Sequence, residues 1–87
     1  MENSVHIDII FNESAFKHGL TEEDIRSSLT TFLLDAALNG SENQFLVIGF
    51  DTKGNLIEVM YNIIDENTIN IFHAMKCRKE YLKLLEM

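Results

Sequence analysis

The chain has no proline, no tryptophan, four glycines and a single cysteine among its 87 residues. One cysteine excludes an intramolecular disulfide and a metal site built from several thiolates, and this usage fits a reducing cytoplasm. The modest glycine content and the lack of proline argue against a disordered or low-complexity chain. We therefore expect a structured domain that is not held together by covalent cross-links.

Long apolar runs are also missing. No stretch approaches the ~20 apolar residues that a membrane-spanning helix needs, and Glu2, His6 and Asp8 interrupt the segment where a signal peptide would be apolar. These features predict a soluble, cytoplasmic protein with no membrane association. The length of 87 residues and the hydrophobic content of 46% predict one domain over residues 1–87. So small a domain is marginally stable, which leaves room for a homo-oligomer or a partner chain.

Basic residues are scarce, with seven against fourteen acidic residues and a net charge of -7. Proteins that bind nucleic acid generally present a positively charged surface. The basic residues are unevenly distributed, however. Residues 76–87 carry four basic and two acidic residues, whereas the remainder carries three basic and twelve acidic ones. A basic segment on an acidic body is the place where we expect a phosphate group to bind.

Apolar periodicity and capping residues predict an α+β domain, with helices packed on an antiparallel sheet. Asn12 and Thr21 are the expected helix caps, and Asp24 completes a capping box with Thr21. The predicted elements are a strand at Val5–Phe11, helices at Glu13–His18 and after Thr21, strands at Phe45–Phe50, Leu56–Ile64 and Thr68–Ala74, and a helix from Met75 to Met87.

One segment, Thr30–Leu38, fits two structures. Helix propensity allows it to continue the second helix, whereas Phe32–Ala36 could equally form a further strand. The residues alone do not decide between these two structures.

His73 is the first candidate for chemistry. Strand alternation would place it on the same face as Ile69 and Ile71, where a buried structural histidine is as good an interpretation as a functional one. Imidazole moves protons near neutral pH, and Lys76 and Arg78 follow closely in the sequence. Such groups can activate a ribose 2′-hydroxyl, protonate a leaving oxygen and neutralise the charge of a phosphorane.

The other candidates have plain structural explanations as well. Lys17 and His18 before Gly19 fit a helix C-terminus, and lysines on a last helix usually cover a solvated face. Arg78 lies at a helix start, where the helix dipole favours an anion and not a cation. This mismatch favours a role for Arg78 in binding phosphate or a partner. We expect Cys77 to be a packing residue whose pKa is lowered by adjacent cations. The histidine spacing predicts no metal site, and no motif for a cofactor is present.

Several motifs in order resemble the BrnT family of bacterial toxins, within the RelE/ParE-like fold group. The matching segments are K-H-G-L-T-E-E-D at 17–24, L-V-I-G-F-D-T-K-G-N-L at 46–56, E-V-M-Y at 58–61 and T-I-N-I-F-H-A-M-K-C-R-K at 68–79. Together they cover most of the chain.

The resemblance implies the order β-α-α-β-β-β-β-α, with Phe32–Ala36 as a strand. It also implies the toxin component of a type II toxin–antitoxin system, a metal-independent endoribonuclease that acts on RNA and is neutralised by a cognate antitoxin protein. The catalytic residues would be His73, His18 and Arg78, and the residues that bind RNA phosphates would be Lys17, Lys76 and Lys79.

Two other functions stay open. Met75 stands where the family has an arginine, and the body is acidic, so the chain could be a non-catalytic protein-interaction module that retains the toxin fold. The basic segment could also bind nucleic acid without cutting it, although the net charge disfavours this.

Overall fold

The computed structural model describes residues 6–86 and confirms an α+β fold. Within this range the chain contains five strands, two α-helices and three 3₁₀ turns. In chain order they are β1 (Asp8–Phe11), a 3₁₀ turn (Glu13–Phe16), α1 (Glu22–Thr30), β2 (Leu34–Ala37), a 3₁₀ turn (Leu38–Gly40), β3 (Phe45–Phe50), β4 (Leu56–Asp65), β5 (Thr68–Lys76), α2 (Lys79–Leu82) and a 3₁₀ turn (Lys83–Glu86).

All five strands form one sheet in the order β1-β5-β4-β3-β2. The hairpin-linked strands β2 to β5 are antiparallel, as predicted. The prediction of a wholly antiparallel sheet is wrong, because β1 lies parallel to β5, with Asp8 opposite Thr68. A strand that precedes a helical crossover has no hairpin partner to fix its direction, so sequential reasoning could not orient β1.

Each face of the sheet has its own apolar core. On the first face, α1 and the Glu13–Phe16 turn cover residues from the three central strands; the buried members are Ala15, Ile25, Val47, Ile57, Val59, Ile71 and Ala74. On the second face, the C-terminal segment packs over Leu46, Ile48, Met60 and Cys77. Leu46, Val47 and Ile48 are thus all buried, which confirms the prediction that β3 is covered on both sides.

The helical elements are shorter than predicted. The helix expected at Glu13–His18 is a single 3₁₀ turn, although Asn12 caps it as expected. The helix after Thr21 ends at Thr30, and the strand interpretation of the following segment is confirmed by β2. The Thr31 hydroxyl ends the helix by bonding to the Ser27 carbonyl at 2.8 Å and accepting from the Phe50 amide at 3.1 Å.

At the two ends of the chain the predicted boundaries also move. The strand predicted from Val5 begins at Asp8, because His6 and Ile7 are not part of it; Val5 and Met87 lie outside the described residues. The helix predicted from Met75 is wrong at its start, because β5 continues to Lys76, opposite Ile57. The ladder to β4 holds this backbone extended, so that only Lys79–Leu82 becomes α-helical.

Two contacts fix α1 on the sheet. Gly49 in β3 lies against the backbone of Ser28, so closely that a Cβ atom at this position would overlap the Ser28 carbonyl. At the helix start, Asp24 and Thr21 form the predicted capping box. The same Asp24 carboxylate accepts bonds from the backbone amide and hydroxyl of Thr52, at 3.1 and 2.7 Å, in the β3–β4 turn. These bonds, led by the one from the Thr21 amide, lower the pKa of Asp24 well below its ordinary range.

The close approach of α1 to β3 predicts that Gly49→Ala lowers the free energy of unfolding by about 3 kcal/mol, because a helix backbone cannot yield as a side chain can. Gly40→Ala is the control, since open space surrounds Gly40 and only its positive φ opposes the change, at about 1 kcal/mol. Urea unfolding measures both. An equal loss in the two variants would contradict the close packing.

The Asp24 bonds predict a pH-dependent stability. Because folding lowers its pKa, ionised Asp24 stabilises the fold above the ordinary aspartate pKa of about 4, and this stabilisation is lost as the pH falls further. Asp24→Asn should therefore cost roughly 1–2 kcal/mol at pH 7 and progressively less below pH 4. Glu23→Gln, in the same helical turn, is the control. A deficit that is constant from pH 7 to acid would rule the linkage out.

Candidate functional site

A β-bulge in β5 decides where His73 points. Met60 of β4 lies opposite His73, whereas the next residue, Tyr61, lies opposite Ile71, so Phe72 is an extra residue in the ladder. The bulge reverses the alternation that holds for Ile69 and Ile71. The prediction that His73 shares their face is therefore wrong, and its side chain lies on the second face, with Glu58.

Glu58 is the centre of the site, and its side chain is completely buried. It is the third residue of β4, between residues whose side chains form the two cores. One carboxylate oxygen, Oε2, lies 2.8 Å from His73 Nε2. Because a carboxylate only accepts, His73 Nε2 is the donor in this bond, which leaves Nδ1 of the same ring to accept a proton.

Arg78 supplies the countercharge. Its Nε donates to both Glu58 oxygens, at 3.1 and 3.0 Å, its Nη2 donates to Oε2 at 2.6 Å, and its backbone amide donates to Oε1 at 2.9 Å. Burial of Glu58 favours its neutral form, but the bonds from Arg78 and His73 outweigh burial and lower its pKa. The pKa of Arg78 is raised by the same bonds. The pair is therefore ionised across the physiological range.

Arg78 also reaches solvent. Its side chain is 42% exposed, its guanidinium lies 5.3 Å from the Tyr81 ring centroid, and its Nη1 makes no hydrogen bond within residues 6–86. An anion at the surface could therefore accept from Arg78 while the bonds to Glu58 remain in place.

A second histidine completes the arrangement. β1 ends at Phe11, and the Glu13–Phe16 turn continues along the edge of β5, where the Ser14 hydroxyl donates to the Phe72 carbonyl at 2.6 Å. The chain then turns at Gly19, with φ of 87°. This path brings the His18 ring edge-on to the His73 ring, with 5.7 Å between centroids. We refer to His18, Glu58, His73 and Arg78 as the His–Glu–Arg cluster.

The predicted lysines are less closely grouped. Lys17 is exposed beside His18 in the turn, and Lys79 is exposed beside Arg78 at the start of α2. Lys76 lies opposite Ile57, whose side chain belongs to the first core, so alternation directs Lys76 away from the cluster. The structure thus brings His18, His73 and Arg78 together and separates Lys76 from them.

Cys77 is a packing residue, as predicted, and belongs to the second core. The expected lowering of its pKa is wrong, because burial, together with the negative charge of Glu58, raises the pKa of the thiol to about 11. The nearby Arg78 charge opposes this effect only in part. A thiol of this kind is a poor nucleophile near neutral pH.

Glu58 is the residue of the candidate site that sequence reasoning missed. Alternation with Ile57 and Val59 suggested an exposed position. One signal could have found it: β4 is flanked by strands on both sides and carries apolar residues on both faces around Glu58. An acid in such a strand needs a cationic partner, and Arg78 follows directly after the neighbouring strand β5.

The chain matches no protein-family model, no curated protein and no solved structure. Among the described residues, no group of three or more His, Cys, Asp or Glu side chains could hold a metal ion. None of the helices in this range has the length and apolarity required to span a membrane.

The buried carboxylate predicts that Arg78→Gln destabilises the protein strongly at pH 7. Removing one partner of a buried ion pair leaves the Glu58 charge uncompensated, and we expect a clear loss in the free energy of unfolding, moderated by the partial exposure of Arg78. The double variant Glu58→Gln, Arg78→Gln should lose less than the sum of the single variants, as measured by urea unfolding. Additive losses would show that the two side chains do not depend on each other.

Proposed function

We propose that the protein is a metal-independent endoribonuclease and the toxin of a type II toxin–antitoxin system, with a RelE/ParE-like fold. The observation that carries this proposal is the juxtaposition of His18 and His73, two groups able to exchange protons, beside the partly exposed Arg78. The resemblance of four sequence segments to the BrnT family supports the toxin assignment. Cleavage of RNA by its own 2′-hydroxyl needs one base, one acid and a cation, and no metal ion.

In the proposed reaction, His73 Nδ1 takes the proton from the 2′-hydroxyl, because Nε2 is committed to Glu58. The 2′-oxygen then attacks phosphorus, and the bond from phosphorus to the 5′-oxygen breaks. His18, in its protonated form, gives its proton to the departing 5′-oxygen. The products are a 2′,3′-cyclic phosphate and a 5′-hydroxyl, and the two histidines have exchanged protonation states.

The cations have different roles in this proposal. Arg78 donates to the phosphorane oxygens, where negative charge accumulates in the transition state. Lys17 and Lys79, exposed beside His18 and Arg78, bind neighbouring phosphates of the RNA. Lys76 contributes to the overall charge only, since it lies on the other face. A cognate antitoxin would neutralise the toxin by covering His18 and Arg78.

A non-catalytic interaction module is the alternative, and one observation favours it. Among the described residues no buried side-chain polar atom lacks a hydrogen-bond partner, those of Glu58, His73 and Arg78 included, so the cluster is also complete as a structural element. In that case the protein would form a complex with a partner protein and leave RNA intact. Activity therefore separates the two functions.

The ribonuclease proposal predicts that the purified protein, free of antitoxin, cleaves RNA in EDTA and leaves DNA of the same sequence intact. His73→Ala and His18→Ala should each lower the rate by about 100-fold or more, the usual contribution of a general acid or base. His6→Ala is the matched control, because His6 is exposed next to Asp8 and does not belong to the cluster.

Gel analysis of the products, with circular dichroism as a test of folding, gives the result. Wild-type protein that leaves RNA intact, or a rate unaffected by both cluster substitutions, would exclude the proposed reaction and favour the interaction module.

A further inference from the structure

The first face of the sheet is incompletely covered. α1 has nine residues and is therefore about 14 Å long, and it ends at Thr30 while the strands beneath it continue. Beyond its last turn lies a cavity of about 390 Å³ that touches all five strands or the residues before them. This volume is within the ~300–1,000 Å³ typical of small-molecule sites.

The walls of the cavity are apolar. Ile9, Leu29, Val47 and Ile69 line its interior, and Phe32 stands at the side next to β2. Phe32 is 51% exposed, so its ring is available at the mouth. A hydrocarbon or aromatic group entering from water would be stabilised by leaving solvent.

One corner of the cavity is polar and held in place. The Tyr61 hydroxyl donates to Asp35 Oδ1 at 2.9 Å, and the Tyr61 ring stacks on Phe45 with 5.2 Å between centroids. The second carboxylate oxygen of Asp35 makes no hydrogen bond within residues 6–86, and no basic side chain of this range forms an ion pair with it. Among residues 6–86, Asp35 is the only charged residue that lines the cavity.

We propose that this cavity binds a small amphiphilic amine, an apolar chain or ring that carries one ammonium group. The apolar part would occupy the space between α1 and the sheet, and the ammonium would donate to the second oxygen of Asp35. Phe32 and Tyr61 also line this cavity, and aromatic rings attract cations. The site lies on the face opposite the His–Glu–Arg cluster and does not rest on the proposed ribonuclease activity.

The charge of Asp35 favours an amine over other ligands for this cavity. An anionic amphiphile would meet Asp35 and a chain of net charge -7, and a second copy of the protein would bring the same negative charge to the same carboxylate. A neutral apolar molecule would fill the cavity but leave the carboxylate oxygen to water. Only a cation uses both the apolar walls and the acidic corner.

The test is a titration of the full chain followed by ¹H–¹⁵N and methyl NMR, with phenethylamine as the probe and 2-phenylethanol as its neutral isostere. We expect phenethylamine to shift the signals of Leu29, Val47 and Ile69, and 2-phenylethanol to bind about fivefold more weakly, as one partly exposed ion pair allows. Asp35→Asn should remove this difference. Glu42→Gln, an exposed acid that does not line the cavity, should preserve it.

Equal affinity for the two probes, or a preference that survives Asp35→Asn, would overturn the proposal. So would shifts spread over the surface instead of the cavity, or none at millimolar amine. Thr30→Phe, which fills the cavity from the exposed end of α1, gives a second check, since it should abolish binding of the amine while the wild-type fold is retained. Binding to this variant that is as tight as to the wild type would place the amine elsewhere.

Discussion

A single buried carboxylate organises this protein. Glu58 lies in the middle of the sheet without exposure to solvent, and it is acceptable there only because Arg78 and His73 surround it with hydrogen-bond donors. Those donors come from the second half of β5 and from Arg78, the residue just before α2. The requirement to satisfy one charge therefore also fixes the path of the C-terminal segment across the second core.

Local chemistry made part of this fold predictable. The capping box of Thr21 and Asp24 placed the start of α1, and the turn at Gly54 with its flanking apolar runs placed β3 and β4. The direction of β1 was not predictable, because it depends on a partner about sixty residues away. Propensity also could not end the helix at Thr30, since the Thr31 hydroxyl does so by a bond to a strand.

The candidate site was also predictable only in part. His18, His73 and Arg78 could be selected from residue types and resemblance, but their convergence depends on the extra residue at Phe72. A bulge has no reliable signature in one sequence, and without it His73 would face α1 instead of Glu58. Burial of Glu58 was equally hidden, because a strand covered on both faces is recognised only when its neighbours are known.

The parallel pairing of β1 with β5 has a consequence for how the protein is made. Residues 8–11 form their strand pairing only with residues 68–71. Because this pairing has a large sequence separation, we expect it to form late in folding. His18 is carried by the segment that follows β1, and Arg78 is synthesised later still. A chain emerging from the ribosome thus holds no assembled cluster until Arg78 has been translated, which separates synthesis of the earlier strands from the appearance of the cluster.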